Sequence, residues 1–351
     1  MILLSSGHLT ILFIAVIHCV IGFSNAFQIP AVSIVAELLT ISENYTKASG
    51  MLSFLDSLVV SFSSAIATIL FSSIGIQYIL IFDIITYVPA NILLLFFVKV
   101  PESEYTADPD EDESFGSFVK DTKEGFAFIL GNRGLLKIIL SLCFINFFSR
   151  ITYENILPAM LLSRSNSEIV LGAVNGIIGI GGILGSLIVR AVPMKRNKAA
   201  VMYGSILISF LAGDLFMAFG RNLWAWIPAA IAASLPIPFM VAAQRTIIYT
   251  QVPRAKQGRI FATKNAIQHC LIPVGILMGG ALADHVFEPF LVNGTSPLQT
   301  FLFRLFGATS GSGMAMMFSI TGILGAGICI FMLKSKDVRK LGEPKEAADF
   351  H

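Results

Sequence analysis

Long apolar runs separated by short polar breaks make up most of this chain. The first, Leu9–Leu39, exceeds the roughly 20 residues a helix needs to cross a bilayer, and Pro30 marks a kink site within it. Two further runs cover about residues 48–74 and 77–98. Next comes the longest polar segment, Lys99–Lys137. Its first part, PESEYTADPDEDES, is acidic and has the composition of a linker. Its second part places Phe115, Phe118, Val119, Phe126, Ile129 and Leu130 at helical spacing, which predicts an amphipathic helix on a membrane surface. Apolar runs then recur at about 138–162, 168–190, 199–220, 223–248, 262–284 and 312–333, followed by a polar tail. The pattern predicts nine membrane-crossing helices, hence an all-α integral membrane protein.

Composition agrees. Hydrophobic residues make up 55% and charged residues 13%, with mean hydropathy +0.78. A soluble domain carries about 25% charged residues, so this chain has too little polar surface to cover a water-soluble globule. The 29 Gly and 29 Phe suit helices packed in lipid, where small residues allow close approach and aromatics fill gaps. Net charge is only +2 and points to no nucleic-acid partner.

Charge placement carries more information than charge balance. With the N-terminus outside, twenty of the 24 Lys and Arg fall in segments on the inside, including Lys195, Arg196, Arg254, Lys256 and Arg259. Only Arg164, Arg221 and Arg304 fall in outside loops, and Arg150 lies within a span. The positive-inside rule therefore predicts an outside start and a cytoplasmic end. The stretch 251–289 is a compact example: a basic loop, a small-residue apolar helix, then Asp284, His285 and Glu288 at the exit.

Little in the chain suggests enzyme chemistry. Cys19, Cys143, Cys270 and Cys329 each lie in apolar runs without metal-ligand or CxxC spacing, and read as small core residues. The Gly-rich GIIGIGGILG at 176–185 has no preceding strand, so it reads as a close-packed membrane helix rather than a nucleotide loop. No catalytic constellation, metal site or cofactor is expected. Ionisable residues inside spans are the better candidates, because each costs about 2.5–3.5 kcal/mol on insertion scales. Arg150 and Glu154 are four apart and can pair on one helix face, either as a cavity-lining ion pair or as a structural one. Asp56 lies about nine residues into its span, where it could bind a proton or tie two helices together. Asp214 reads as an interfacial residue near the outer end of its span. His18 and His269 read as packed residues, and Phe144, Phe147 and Phe148 either line a pocket or fill core and lipid contacts.

The linker divides the nine spans into three and six, and the first three look like the last three of a six-span half. Four passages carry a resemblance. They are AFQIPAVS at 26–33 with KASG at 47–50, ILIFDIITY at 79–87, QVPRAKQGRIF at 251–261 continuing to GGALADHVFEPFLVNG at 279–294, and GSGMAMMFSITGI with the later DVRKLGE. Together they resemble bacterial major facilitator superfamily transporters of the macrolide-efflux-like, drug:proton antiporter type. The resemblance implies two pseudo-symmetric six-helix bundles with alternating access to a central cavity, powered by the proton gradient. It equates the nine spans with three helices of the N-terminal half and six of the C-terminal half. Ser64 and Thr68 stand near positions where family antiporters tend to carry Pro and Gly. It also suggests that Asp83 ties its helix to a neighbour. Gln251, Pro253, Gly258 and Arg259 become gating-loop candidates, with Gly258 giving a tight turn and Arg259 pairing across the bundle interface, or else simply anchoring the loop inside.

The expected organisation is a partial N-terminal bundle (1–98), a cytoplasmic linker with an amphipathic helix (99–137), a C-terminal six-helix bundle (138–333) and a cytoplasmic tail (334–351). The expected function is proton-coupled efflux of amphipathic organic compounds by a monomer in the bacterial cell membrane. Its partners are then the lipid bilayer and a small amphipathic substrate. The alternative expectation is a truncated, non-transporting remnant of such a transporter.

Overall fold

The computed structural model describes residues 77–93 and 115–343 apart from 192–196, 254–256, 293–295 and 308–309, with isolated positions 16, 17, 20, 21, 24, 58, 59 and 96. The first two predicted spans, Asp56 and the acidic segment after Pro101 lie outside the described residues, isolated positions aside. The chain divides into two compact units, Met1–Leu52 with Ser63–Glu111, and Ser53–Phe62 with Asp112–His351. Every described element is helical.

In the first unit the described helix is α1 (Gln77–Leu93). It is apolar, and its polar side chains bond their own backbone. Thr86 Oγ1 donates to the carbonyls of Phe82 and Asp83, and Asn91 Nδ2 donates to Tyr87. Such local bonding satisfies the polar atoms within the helix itself.

The second unit opens with α2 (Phe115–Gly131) and holds six helices long and apolar enough to cross a membrane. They span Arg133–Ser165, Glu168–Ala191, Lys198–Phe219, Leu223–Gln251, Arg259–Leu291 and Ser312–Lys334. These match the six predicted C-terminal spans closely. Four of the six are segmented. The first consists of α3 (Arg133–Tyr153) and α4 (Ile156–Ser165), and the second is α5 (Glu168–Ala191). The third runs α6 (Lys198–Ile208), a π-helical turn (Ser209–Asp214) and α7 (Leu215–Phe219). The fourth is α8 (Leu223–Ser234) and α9 (Ile237–Gln251). The fifth runs α10 (Gln257–His269), α11 (Ile272–Leu282), a second π-helical turn (Ala283–Phe287) and α12 (Glu288–Val292). A short α13 (Pro297–Phe306) precedes the last span, α14 (Ser312–Lys334), and α15 (Lys336–Gly342) follows it.

Proline explains three of the breaks. Pro158 and Pro273 sit just past an interruption and Pro236 within one, where a missing N–H and a ring clash end the preceding helix. Asparagine starts several segments. Asn132, Asn197 and Asn222 each accept a backbone N–H three residues on, at 3.1, 3.2 and 3.0 Å. Ser296 and Gln299 form a reciprocal capping box at the start of α13.

Small residues set how closely the helices approach. Gly275 and Gly279 lie one turn apart on α11, facing α3. A Cβ at Gly275 would stand 2.9 Å from the Phe147 carbonyl oxygen, and one at Gly279 would overlap the Ile151 carbonyl oxygen. Gly213, in the π turn, lies so near α8 that a Cβ would be 2.6 Å from Ala233 Cα. In lipid such contacts hold helices by dispersion, because tails and side chains are equally apolar. Two main cores result, one around Trp226, Phe318, Met160 and Met217, the other around Tyr203, Met202, Phe210 and Leu142. The outer faces stay apolar: Leu184 and Leu187 on α5, and Ile323 and Phe331 on α14, are exposed, as a lipid-facing surface requires.

The predicted surface helix α2 is in part docked on the bundle. Ile129 is fully buried with Leu135, Ile139, Ile248, Val252 and Ile260, while Phe126 and Leu130 remain exposed. Its Gly125 lies against Thr263 of α10.

Candidate functional site

The middle of the first span of the second unit carries the expected ion pair. Arg150 lies in the last turn of α3, and Glu154 follows the helix as its C-terminal cap. Arg150 Nη1 donates to Glu154 Oε1 across one turn. The side chains are 43% and 39% exposed, so the pair opens outward from the packed bundle rather than being sealed within it. The break after Tyr153 allows this, because the chain need not continue a helix through Glu154. On the neighbouring α11, Gly275 and Gly279 admit the backbone of α3, and Asn155 Nδ2 donates to the Ile276 carbonyl at 3.4 Å. The arrangement can hold paired charges within the membrane beside a close helix contact, and can exchange that pairing for a charged ligand or a proton.

The other expected site residues are dispersed. Asp83 lies exposed in α1, in the first unit, and Asp56 is outside the described residues. Gln251 ends α9, Val252 is buried, and Pro253 is exposed beyond it. Gly258 is the second residue of α10 and so is helical, not the tight turn expected of it. Arg259 Nη1 lies 3.6 Å from Glu124 Oε2 of α2, a contact within the second unit. At the same end of the bundle Lys137 pairs with Asp337 of α15, and Asn197 Nδ2 donates to the Arg339 carbonyl at 2.8 Å. This end is therefore tied together by side chains from α2, α3, α10 and α15.

Three features were not anticipated. Asp214, expected at an interface, is 1% exposed. The π turn that it closes carries it inward, and the absence of a side chain on Gly322 makes room for it: a Cβ there would stand 3.3 Å from Asp214 Cβ. Tyr153 Oη donates to Asp214 Oδ1 at 2.6 Å. The acid itself was visible in the sequence, but its partner lies on another span, and no local pattern links the two.

Arg164, expected in an outside loop, is half-buried. Its Nη1 donates to the carbonyls of Ala218 (3.1 Å) and Gly220 (2.8 Å), and its Nη2 to that of Phe306 (2.5 Å). It thus caps the C-terminal ends of α7 and α13, where free carbonyls favour a cation. Finally, Cys143 and Cys270, read as isolated core residues, bring their sulfurs to 3.9 Å at the contact of α3 with the α10–α11 break, as free thiols. Among the described residues no cluster of His, Cys, Asp and Glu could hold a metal ion.

Comparison with known proteins matches the sequence profile of the Major Facilitator Superfamily to residues 1–276. Macrolide efflux protein A of Streptococcus pyogenes is 24% identical over 283 residues, covering 78% of this chain and 67% of that protein. A protein of the same name from Enterococcus faecalis is 23% identical over 262 residues, covering 73% of this chain and 78% of that protein. The uncharacterized MFS-type transporter YkuC of Bacillus subtilis is 25% identical over 236 residues, covering 64% of this chain and 54% of that protein. No solved structure matches.

Proposed function

Because the chain belongs to the Major Facilitator Superfamily and is a multi-pass membrane protein, we propose that it exports small amphipathic organic compounds, with the proton gradient as its energy source. The match to two macrolide efflux proteins, each over more than 70% of this chain, carries this reading. A small amphipathic cargo also fits helices rich in Phe and small residues. The ion pair of Arg150 and Glu154, midway along a span, supplies charge that a proton or a cationic substrate can displace. No bond of the cargo is made or broken in this reading, so the chain acts as a transporter and not as an enzyme.

The reading sets the protein in the bacterial cytoplasmic membrane as a monomer. Its basic end, with Lys137, Arg259 and α15, faces the cytoplasm, and its N-terminus lies outside; the support is the twenty-to-three bias of Lys and Arg. Arg259 with Glu124 and Lys137 with Asp337 hold the cytoplasmic end of the six-helix unit together. Cells of a susceptible bacterium expressing this chain should accumulate less labelled macrolide or cationic dye than cells with an empty vector, and a protonophore should abolish the difference. Equal accumulation in both strains would favour a non-transporting chain.

A further inference from the structure

A carboxylic acid deep in an apolar bundle needs a reason, because removing its charge from water is costly unless polar partners surround it. Asp214 has one such partner. Tyr153 donates to Oδ1, while Oδ2 is buried and has no hydrogen-bond partner among the described residues. The hydroxyl of Ser319, one turn before Gly322 on the facing α14, is likewise buried and unpartnered.

The helices packed around Asp214 carry few charged groups, and those on α3 are engaged elsewhere or distant. From α3 comes Tyr153, a neutral donor, with Arg150 one turn earlier paired to Glu154, and Arg133 and Lys137 at the far end. The segments α7 and α8 contain no ionisable residue. On α14 the ionisable residues are Cys329 and Lys334, two and more than three turns beyond Gly322. On α6 they are Lys198, at its start, and Tyr203, whose hydroxyl is engaged with Ser141 at 2.5 Å. The π turn ending at Asp214 adds a third sign, since such turns inside α-helices recur at functional sites.

We propose that Asp214 is a proton-binding site of the six-helix unit, with Tyr153 holding Oδ1 and the proton carried on Oδ2. Releasing the proton breaks the Oδ2–H bond, passes the proton to water and leaves a carboxylate. That carboxylate has only a tyrosine to stabilise it in the present arrangement. Deprotonation therefore favours an arrangement in which α14 or the π turn shifts to admit water, and reprotonation restores the packed one. The site deepens the proton-coupled reading and rests on it.

The test uses the full chain in lipid nanodiscs and infrared spectroscopy across a pH series. The wild type should show a protonated-carboxyl band that titrates. Asp214→Asn, which keeps the size and can still accept from Tyr153, should lack that band. Tyr153→Phe, which removes the donor, should displace the titration midpoint. A band unchanged in Asp214→Asn, or a midpoint unmoved in Tyr153→Phe, would overturn the proposal. The same variants in proton-driven vesicles separate the two readings. A titrating Asp214 band in a chain that moves no substrate sinks the transport reading and keeps the site. Proton-driven flux unaffected by Asp214→Asn sinks the site and keeps the transport reading.

Discussion

Gly279→Ala should destabilise the protein, while Gly280→Ala, one residue on, should not. Both glycines lie in α11, and both replacements gain the same helix propensity, about 0.5–1 kcal/mol. The added methyls meet different surroundings. At Gly279 the new Cβ overlaps the Ile151 carbonyl oxygen and lies 3.2 Å from its carbonyl carbon. At Gly280 nothing lies within 4 Å. The obstacle at Gly279 is backbone, which cannot rotate away, so α11 must move off α3. Overpacking of this kind costs about 1–3 kcal/mol. Since the propensity gain is common to both variants, that steric cost is the whole expected difference. The separation also pulls Ile276 from Asn155 and disturbs the turn that carries Arg150 and Glu154. Reversible unfolding in mixed micelles reads the difference, with side-by-side flux measurements on the same preparations. Equal stability for the two variants would refute the close α3–α11 contact.

Arg150→Ala and Glu154→Ala should each impair transport, and the double change should be less than additive; strictly additive loss in the cycle would count against a functional pair. Arg164→Gln gives up the charge that gathers three carbonyls and should cost about 2–3 kcal/mol of stability, with Arg164→Lys in between. At the basic end, the hydrogen bond from Lys137 and then its charge, with Arg133 nearby, hold the Asp337 carboxyl below the usual carboxylate range. The folded value lies below the unfolded one, so the pair's contribution is present above the ordinary aspartate range, about pH 4, and lost as pH falls through the folded value. Protection of the α15 amides from hydrogen exchange, measured against their intrinsic rate at each pH, should fall at acid pH in the wild type and be low at every pH in Asp337→Asn.

The spans of the second unit were legible because a membrane helix declares itself by an unbroken apolar run of fixed length. Their internal breaks were half-legible: Pro158, Pro236 and Pro273 announce an interruption but not where the following segment points. The Arg150–Glu154 pair could be read because its partners are one helical turn apart. Pairings across the fold could not. Tyr153 and Asp214 are 61 residues apart, and Cys143 and Cys270 are 127 apart. Nothing in a single sequence says which faces of two apolar helices will meet. The burial of Asp214 escapes the sequence for a related reason: the π turn that it closes has no sequence signature as clear as a proline. Arg164 was placed by the charge rule in an outside loop, but the carbonyls that it gathers belong to helix ends created by the tertiary fold.

Transport by the chain itself is the central expectation. Purified protein reconstituted into liposomes, with a pH gradient imposed across the membrane, should accumulate a labelled amphipathic substrate against its concentration gradient. Collapsing the gradient should release it, and adding substrate to loaded vesicles should move protons the opposite way. Substrate levels that match protein-free liposomes at every gradient would contradict it.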